Sequence, residues 1–276
     1  KVDIEIGEVS SSATLAIVDL AQNAKKPLIT ASGTNMDITK GRDFVFRTTF
    51  TDPYQGAATA KYAKTKGIKS VAVLTNTSSD YSVGLAEAFK KQAEQDGIKV
   101  IEEKYTKDDK DFKSVLTKIK GQNPESIFIP DYYNTIGLIV TQANELGIKT
   151  QYLGGDGWDG IQANFGAAAE GAIFASQFAP NDTNETVQKF IGNYKKEYSK
   201  DPIVFAALGY DTVTILEEAI KASKDLSGEE VKKALAAVQA EKLVTGALKF
   251  DADRNPEKKV TFIEVKGGQL TLKEKL

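Results

Sequence analysis

Short apolar runs rich in β-branched residues alternate along the chain with longer stretches whose apolar residues recur at helical spacing. VDIEIG (2–7), PLIT (27–30), SVAVL (70–74), KVIEEKY (99–105), SIFIP (126–130) and QYLGG (151–155) have the length and residue types of strands. Between them, Ala13 to Ala24, Tyr54 to Lys66, Gly84 to Asp96, Phe112 to Lys120 and Ile136 to Leu146 predict helices. Three of these helices run into a glycine, in KTKGIKS, EQDGIKV and NELGIKT, which is the usual chemistry of a helix exit. The likeness of the three exits reflects how a helix-to-strand connection is built rather than a sequence repeat. Such alternation predicts an α/β fold with parallel sheets covered by helices on both faces. From about residue 178 the rhythm changes to three long helices, Thr186 to Ser199, Ala206 to Ser223 and Gly228 to Ala240. Two strand-like runs follow, KVTFIEV (259–265) and QLTLKE (269–274).

At 276 residues and 41% hydrophobic, the chain is long enough to build two domains. Lys and Arg total 36 against 38 for Asp and Glu, so the net charge of −2 gives no electrostatic case for nucleic acid or an anionic membrane. That balance points to a small-molecule partner. No apolar stretch approaches the roughly 20 residues that span a bilayer. The chain has neither Cys nor His, which removes disulfides, thiolate nucleophiles, Ser-His-Asp arrangements and imidazole zinc sites. DADRNPEKK (251–259) opens like a calcium loop but has Pro256 at the sharp turn and no closing acid, so it reads as a solvated turn. No phosphate-cradling glycine motif occurs, and neither a metal site nor a cofactor is expected.

In open α/β sheets, ligands bind beyond the carboxyl ends of the strands. The segments in that position are EVSSSAT, ASGTN, TNTSSDY, DYYNT and DGWDG. Four supply hydroxyls or tyrosines, and the last supplies a carboxylate, Asp156, beside the single tryptophan, Trp158. Taken alone, Ser10 to Ser12 form a capping signal and Ser32-Gly33-Thr34-Asn35 an ordinary polar turn. Asp159 is expected to be solvated, and Trp158 either lines a cleft mouth or packs its own loop.

The order of these loops, with FRTTFTDPYQGAATAKYA (46–63), KDFKSVLTKIK (110–120) and GYDTVTILEEAI (209–220), strongly resembles the periplasmic branched-chain (leucine/isoleucine/valine) amino acid binding proteins. These are the solute-binding components of bacterial ABC importers. The resemblance runs the whole length of the chain and implies the type I periplasmic-binding-protein fold, with two Rossmann-like lobes and a three-crossing hinge. It implies a first lobe of 1–50 and 178–257, a second of 51–177 and 258–276, and crossings near Thr51, Gln177 and Lys258. The implied function is capture of an aliphatic amino acid between the lobes and its delivery to ABC permease subunits, with no enzymatic activity. A ligand-sensing module of the same fold in a receptor or regulator is the alternative. The implied setting is periplasmic or extracellular, with lipid anchoring of the full-length parent left open.

Carried over residue by residue, the resemblance implies that Ser11, in the turn Val9-Ser10-Ser11-Ser12, meets the ligand carboxylate. Ser32 contributes its main chain and Thr34 its hydroxyl. Tyr81, Tyr132 and Asp156 come from the second lobe, with Asp156 pairing the ligand ammonium, and Phe205 faces the side-chain pocket. Members of the family ordinarily begin with a strand, helix and strand ahead of the segment matching VDIEIGEVSSSAT. The expectation is therefore a first lobe truncated at its N-terminal edge, with Val2 to Ile6 covered by a missing segment or another chain.

Overall fold

The structure is a computed structural model that describes residues 2–275. Its backbone contacts divide into two compact units. The first comprises the chain up to Thr51 together with Asp182–Lys259, and the second Asp52–Asn181 together with the chain from Val260 onward.

The first unit opens with a three-stranded parallel sheet of β1 (Glu5–Ile6), β2 (Leu28–Thr30) and β3 (Val45–Arg47), in the order β1-β2-β3. The run VDIEIG thus forms a strand of only two residues. β1 is an edge strand, and among the described residues no strand pairs with its outer side. The helix expected over residues 13–24 is two short ones, α1 (Ser11–Leu15) and α2 (Val18–Asn23). The Thr14 hydroxyl bonds back to the Ser10 and Glu8 carbonyls, 2.9 and 3.1 Å away, and so ties the first turn to the preceding loop. β3 lies in no run read as a strand above, being three residues long and ending in a fully buried arginine, Arg47.

The second unit begins with α3 (Asp52–Thr65), β4 (Ser70–Asn76), α4 (Asp80–Gln95), β5 (Lys99–Tyr105), α5 (Lys113–Gln122), β6 (Ser126–Phe128), α6 (Tyr133–Glu145) and β7 (Gln151–Gly154). The short α7 (Gln162–Phe165) and β8 (Ile173–Ser176) follow. The glycine exits of α3, α4 and α6 take left-handed backbone at Gly67, Gly97 and Gly147. Beyond each, the isoleucine amide bonds back to the last turn: Ile68 to Ala63, Ile98 to Ala93 and Ile148 to Ala143, at 2.9 to 3.1 Å.

The chain then returns to the first unit with α8 (Glu185–Tyr198), α9 (Val204–Ala222) and α10 (Gly228–Ala237), followed by a small antiparallel pair, β9 (Gln239–Ala240) and β10 (Leu248–Lys249). Ile215, Ala219, Val231 and Leu235 of α9 and α10 pack with Ile29 and Phe46 of the sheet. Asp211 on α9 is fully buried, and its carboxylate accepts from the Val244 and Thr245 amides and the Thr245 hydroxyl, all within 2.8 Å. The Lys258 ammonium donates to the same hydroxyl at 2.8 Å.

The last strands, β11 (Thr261–Lys266) and β12 (Gln269–Lys275), form a hairpin that joins the second unit's sheet. Its order is β12-β11-β8-β7-β6-β4-β5. β4 to β8 are mutually parallel, whereas β11 runs antiparallel to β8 and β12 antiparallel to β11. The parallel sheet is extended at this edge by an antiparallel hairpin, because a two-residue Gly267-Gly268 turn joins only antiparallel strands.

Candidate functional site

In the first unit the candidate residues lie on two loops bound to each other by hydroxyls. The Thr30 hydroxyl donates to the Glu8 carbonyl at 2.8 Å and accepts from the Gly33 amide at 2.9 Å. The Ser32 hydroxyl donates to the Val9 carbonyl at 2.7 Å, and Ser11 Oγ accepts from the Asn35 amide at 3.3 Å. Gly33 is required here, since a Cβ would sit 2.8 Å from Ile38 and 2.9 Å from the Thr30 hydroxyl. Val9, Ser10, Ser11, Ser32 and Thr34 are thereby brought to one place.

Their roles differ. Ser10 is the cap of α1, accepting from the Ala13 amide at 3.3 Å, so the capping reading holds for this serine. Ser11 is buried behind it, and the Val9 side chain is exposed. Thr34 is fully buried, yet its hydroxyl has no hydrogen-bond partner among the described residues. An unmet buried hydroxyl costs about 1–3 kcal/mol, which a ligand atom would recover. Phe205 lies half-buried in the first turn of α9. No hydrogen bond or ring contact among the described residues joins it to the other candidates.

In the second unit the site grows from the end of β7. Gly155 leads into a single 3-10 turn, Asp156–Trp158, which directs Asp156 inward until only 2% of it is exposed. Glycine is needed on both sides of the acid. A Cβ on Gly154 would fall 2.0 Å from the Trp158 indole nitrogen, and one on Gly157 would fall 2.4 Å from the Asp131 carbonyl oxygen. Asp156 Oδ1 accepts from the Tyr81 hydroxyl at 2.8 Å and the Gln55 amide at 3.1 Å. Gln55 also accepts from the Asp156 backbone N–H at 3.1 Å, and the Tyr81 hydroxyl accepts from the Gly157 N–H at 3.0 Å.

Burial pushes the Asp156 carboxyl up to about 6, against the opposing pull of the Tyr81 and Gln55 bonds. Burial, with the Asp156 charge beside it, holds the Tyr81 phenol well above its ordinary range. Among the described residues no lysine or arginine pairs with Asp156. A buried carboxylate held by neutral donors is suited to a cationic ligand group. The half-buried Tyr132 ring lies 4.8 Å from that of Tyr81, and the Tyr132 amide is fixed by Asp131 Oδ1 at 2.7 Å.

One expectation is corrected in this loop, and one question that the sequence left open is decided. Asp159 is fully buried rather than solvated, with Ser176 Oγ 3.4 Å from its carboxylate. Trp158 packs into the core, its N–H donating to the Ile129 carbonyl at 2.8 Å and its ring stacked against Phe174. The tight turn drives Trp158 inward and draws Asp159 in after it. Gln55 is the residue that sequence reasoning missed. Its only trace is its place in the buried stripe Asp52, Gln55, Gly56, Thr59, Ala60 on α3.

Comparison with known proteins follows the same lines. Residues 1–269 match the family model described as periplasmic binding protein. The chain is 31% identical over 253 residues to the leucine-, isoleucine-, valine-, threonine- and alanine-binding protein of Pseudomonas aeruginosa, covering 89% of this chain and 66% of that one. It thus spans about two thirds of the length of that relative. The leucine-binding protein LivK of Thermotoga maritima superposes with a TM-score of 0.95 at 35% identity, covering 100% of this chain and 80% of that one. LivJ of Streptococcus pneumoniae, the branched-chain amino acid transporter substrate-binding protein solved with isoleucine, gives 0.91 at 34% identity, again with 100% and 80% covered. With residues 1–269 matched by that family model and the fold shared with these solved structures, the chain belongs to the periplasmic binding protein family.

Proposed function

We propose that the protein is a solute-binding protein that captures an aliphatic, branched-chain type amino acid and delivers it to the permease of an ABC importer. Asp156 carries this reading. It is a buried carboxylate, oriented by Tyr81 and Gln55, with no protein cation beside it, and a ligand ammonium would complete the pair. The Ser11 and Thr34 hydroxyls serve the ligand carboxylate and neighbouring polar atoms, Ser32 contributes its main chain, and Val9, Tyr81, Tyr132 and Phe205 offer surface to the side chain. A ligand that engages these groups favours the conformation in which they are in use. That conformation is what a permease would recognise. The protein acts by binding and not by catalysis, in the periplasm or outside the cell.

A thermal-shift screen of the twenty amino acids on the full-length protein tests the reading. Leucine, isoleucine or valine should raise the melting midpoint, and Asp156→Asn should abolish that rise. If none of the three shifts the midpoint, or if Asp156→Asn leaves the shift intact, the reading fails. We further propose that the outer edge of β1 is covered in the functional protein, either by a further segment or by another chain. By the alternation of the strand, the Ile6 amide faces that edge, because the Glu5 and Gly7 amides bond to β2 and its flanks. Slow hydrogen exchange at Ile6 in the full-length protein is the expected result, and rapid exchange would show the edge open.

A further inference from the structure

Arg47 closes β3 four residues before the chain leaves the first unit, and its side chain is fully buried. Its guanidinium reaches into the loop that carries Thr34. Nη1 donates to the Gly33 carbonyl at 2.7 Å and Nη2 to the Asn35 carbonyl at 2.8 Å, the two carbonyls that flank Thr34. Nη2 also lies 3.2 Å from the Thr39 hydroxyl, and Nε donates to Asn255 Oδ1 at 2.7 Å. The Thr39 hydroxyl donates to the same Asn255 oxygen at 3.0 Å, and the Arg47 amide reaches the Arg254 carbonyl at 3.4 Å.

We propose that Arg47 is a positioning residue for ligand capture, whose guanidinium fork, braced by Asn255, holds the Thr34 loop in the shape that presents the Thr34 hydroxyl to the amino acid. The proposal rests on the ligand reading of Thr34 given above. A loop free to relax would turn a buried hydroxyl toward a carbonyl or toward water. Here the hydroxyl stays without a partner, while the carbonyls of the residues on either side of it, Gly33 and Asn35, are clamped. Such a clamp lowers the ordering cost that a ligand would otherwise bear. A lysine cannot reproduce it, because a point ammonium lacks the planar fork that meets several acceptors at fixed angles.

The test is a double-mutant cycle of Arg47→Lys and Thr34→Val, with L-leucine binding to the full-length protein measured by titration calorimetry. Thermal melts establish that each variant is folded. Each single substitution should weaken leucine binding about tenfold or more. In the Thr34→Val background, Arg47→Lys should cost less than about threefold further, since the clamp then has no hydroxyl to present. A purely structural arginine would impose the same factor in both backgrounds, and that additivity would overturn the proposal. Should Arg47→Lys fail to fold, Asn255→Leu removes the brace alone, with a loss of about threefold expected only when Thr34 is present; an equal loss in both backgrounds overturns the proposal. If the unsubstituted protein binds none of leucine, isoleucine or valine, the function reading itself has failed and the proposal falls with it. Intact binding with additive losses refutes the positioning role alone.

Discussion

The Tyr81 hydroxyl donates to Asp156 Oδ1 at 2.8 Å while accepting from the Gly157 N–H at 3.0 Å, so one phenol fixes both the charge and the backbone of the acidic turn. The two residues stand 75 positions apart in the chain, at the start of α4 and just past β7. Replacement of Tyr81 by phenylalanine keeps the ring contact with Tyr132 and removes both bonds. Leucine affinity is expected to fall about tenfold, which is roughly 1.4 kcal/mol. The ligand-free protein should lose about 1–2 kcal/mol in urea denaturation because the Gly157 donor is left unmet. Unchanged affinity would remove Tyr81 from the site.

The Asp156 carboxyl gives a pH dependence of defined sign. Its value in the folded chain is about 6 against an ordinary 3.8, so between those values the folded protein holds a proton that the unfolded chain has released. The stability contribution of this group therefore falls as pH rises through that window, by roughly 3 kcal/mol at most, and stays low above it. Asp156→Asn, which carries no charge at either extreme, should melt higher than the unsubstituted protein at pH 7.5 without ligand. The two should converge near pH 4. An ammonium requires the ionised acid, so leucine affinity should weaken about tenfold per pH unit below about 6. Calorimetry across pH 5 to 7.5 checks this, and a flat profile would contradict the assignment.

Asp211 is a structural charge. It satisfies two amides and the Thr245 hydroxyl, and that hydroxyl in turn accepts from Lys258, whose ammonium burial pulls down to about 8. Asp211→Ala should destabilise the folded chain by about 3 kcal/mol, because it strands three donors and leaves a buried ammonium without its counter-charge. Urea unfolding of the ligand-free protein measures it, and a loss under about 1 kcal/mol would show the network to be dispensable.

Trp158 is the only tryptophan in the chain, so intrinsic fluorescence reports on this position alone. Fully buried, it should emit toward the blue until the protein unfolds. Trp158→Phe should cost less than Trp158→Ala, for which about 3–5 kcal/mol is expected from the cavity and the lost bond to Ile129. Equal losses for the two would show that the ring's packing contributes nothing.

Much of the fold was legible along the chain, because strand runs and helical stripes are local patterns and the glycine exits announce themselves one residue at a time. Gly67, Gly97 and Gly147 show left-handed backbone where the helices were expected to stop. The family resemblance rested on ordered loop motifs, which are likewise local. The misreadings came where packing overrides pattern. Asp159 looks like a surface acid, yet the turn that sends Trp158 into the core takes it along. The strand VDIEIG is cut to two residues, and the helix after it is interrupted between Leu15 and Val18.

What the amino-acid order by itself determined was the α/β alternation, the helix exits, the loops at strand ends and the glycine-framed acid at 156. Tertiary structure decided which groups hold that acid, since Gln55 and Tyr81 reach it from helices 101 and 75 positions away. It also decided that Arg47 should clamp the carbonyls around Thr34. A hydrogen bond depends on where two backbones lie in space, and periodicity records only which face of its own element a residue occupies.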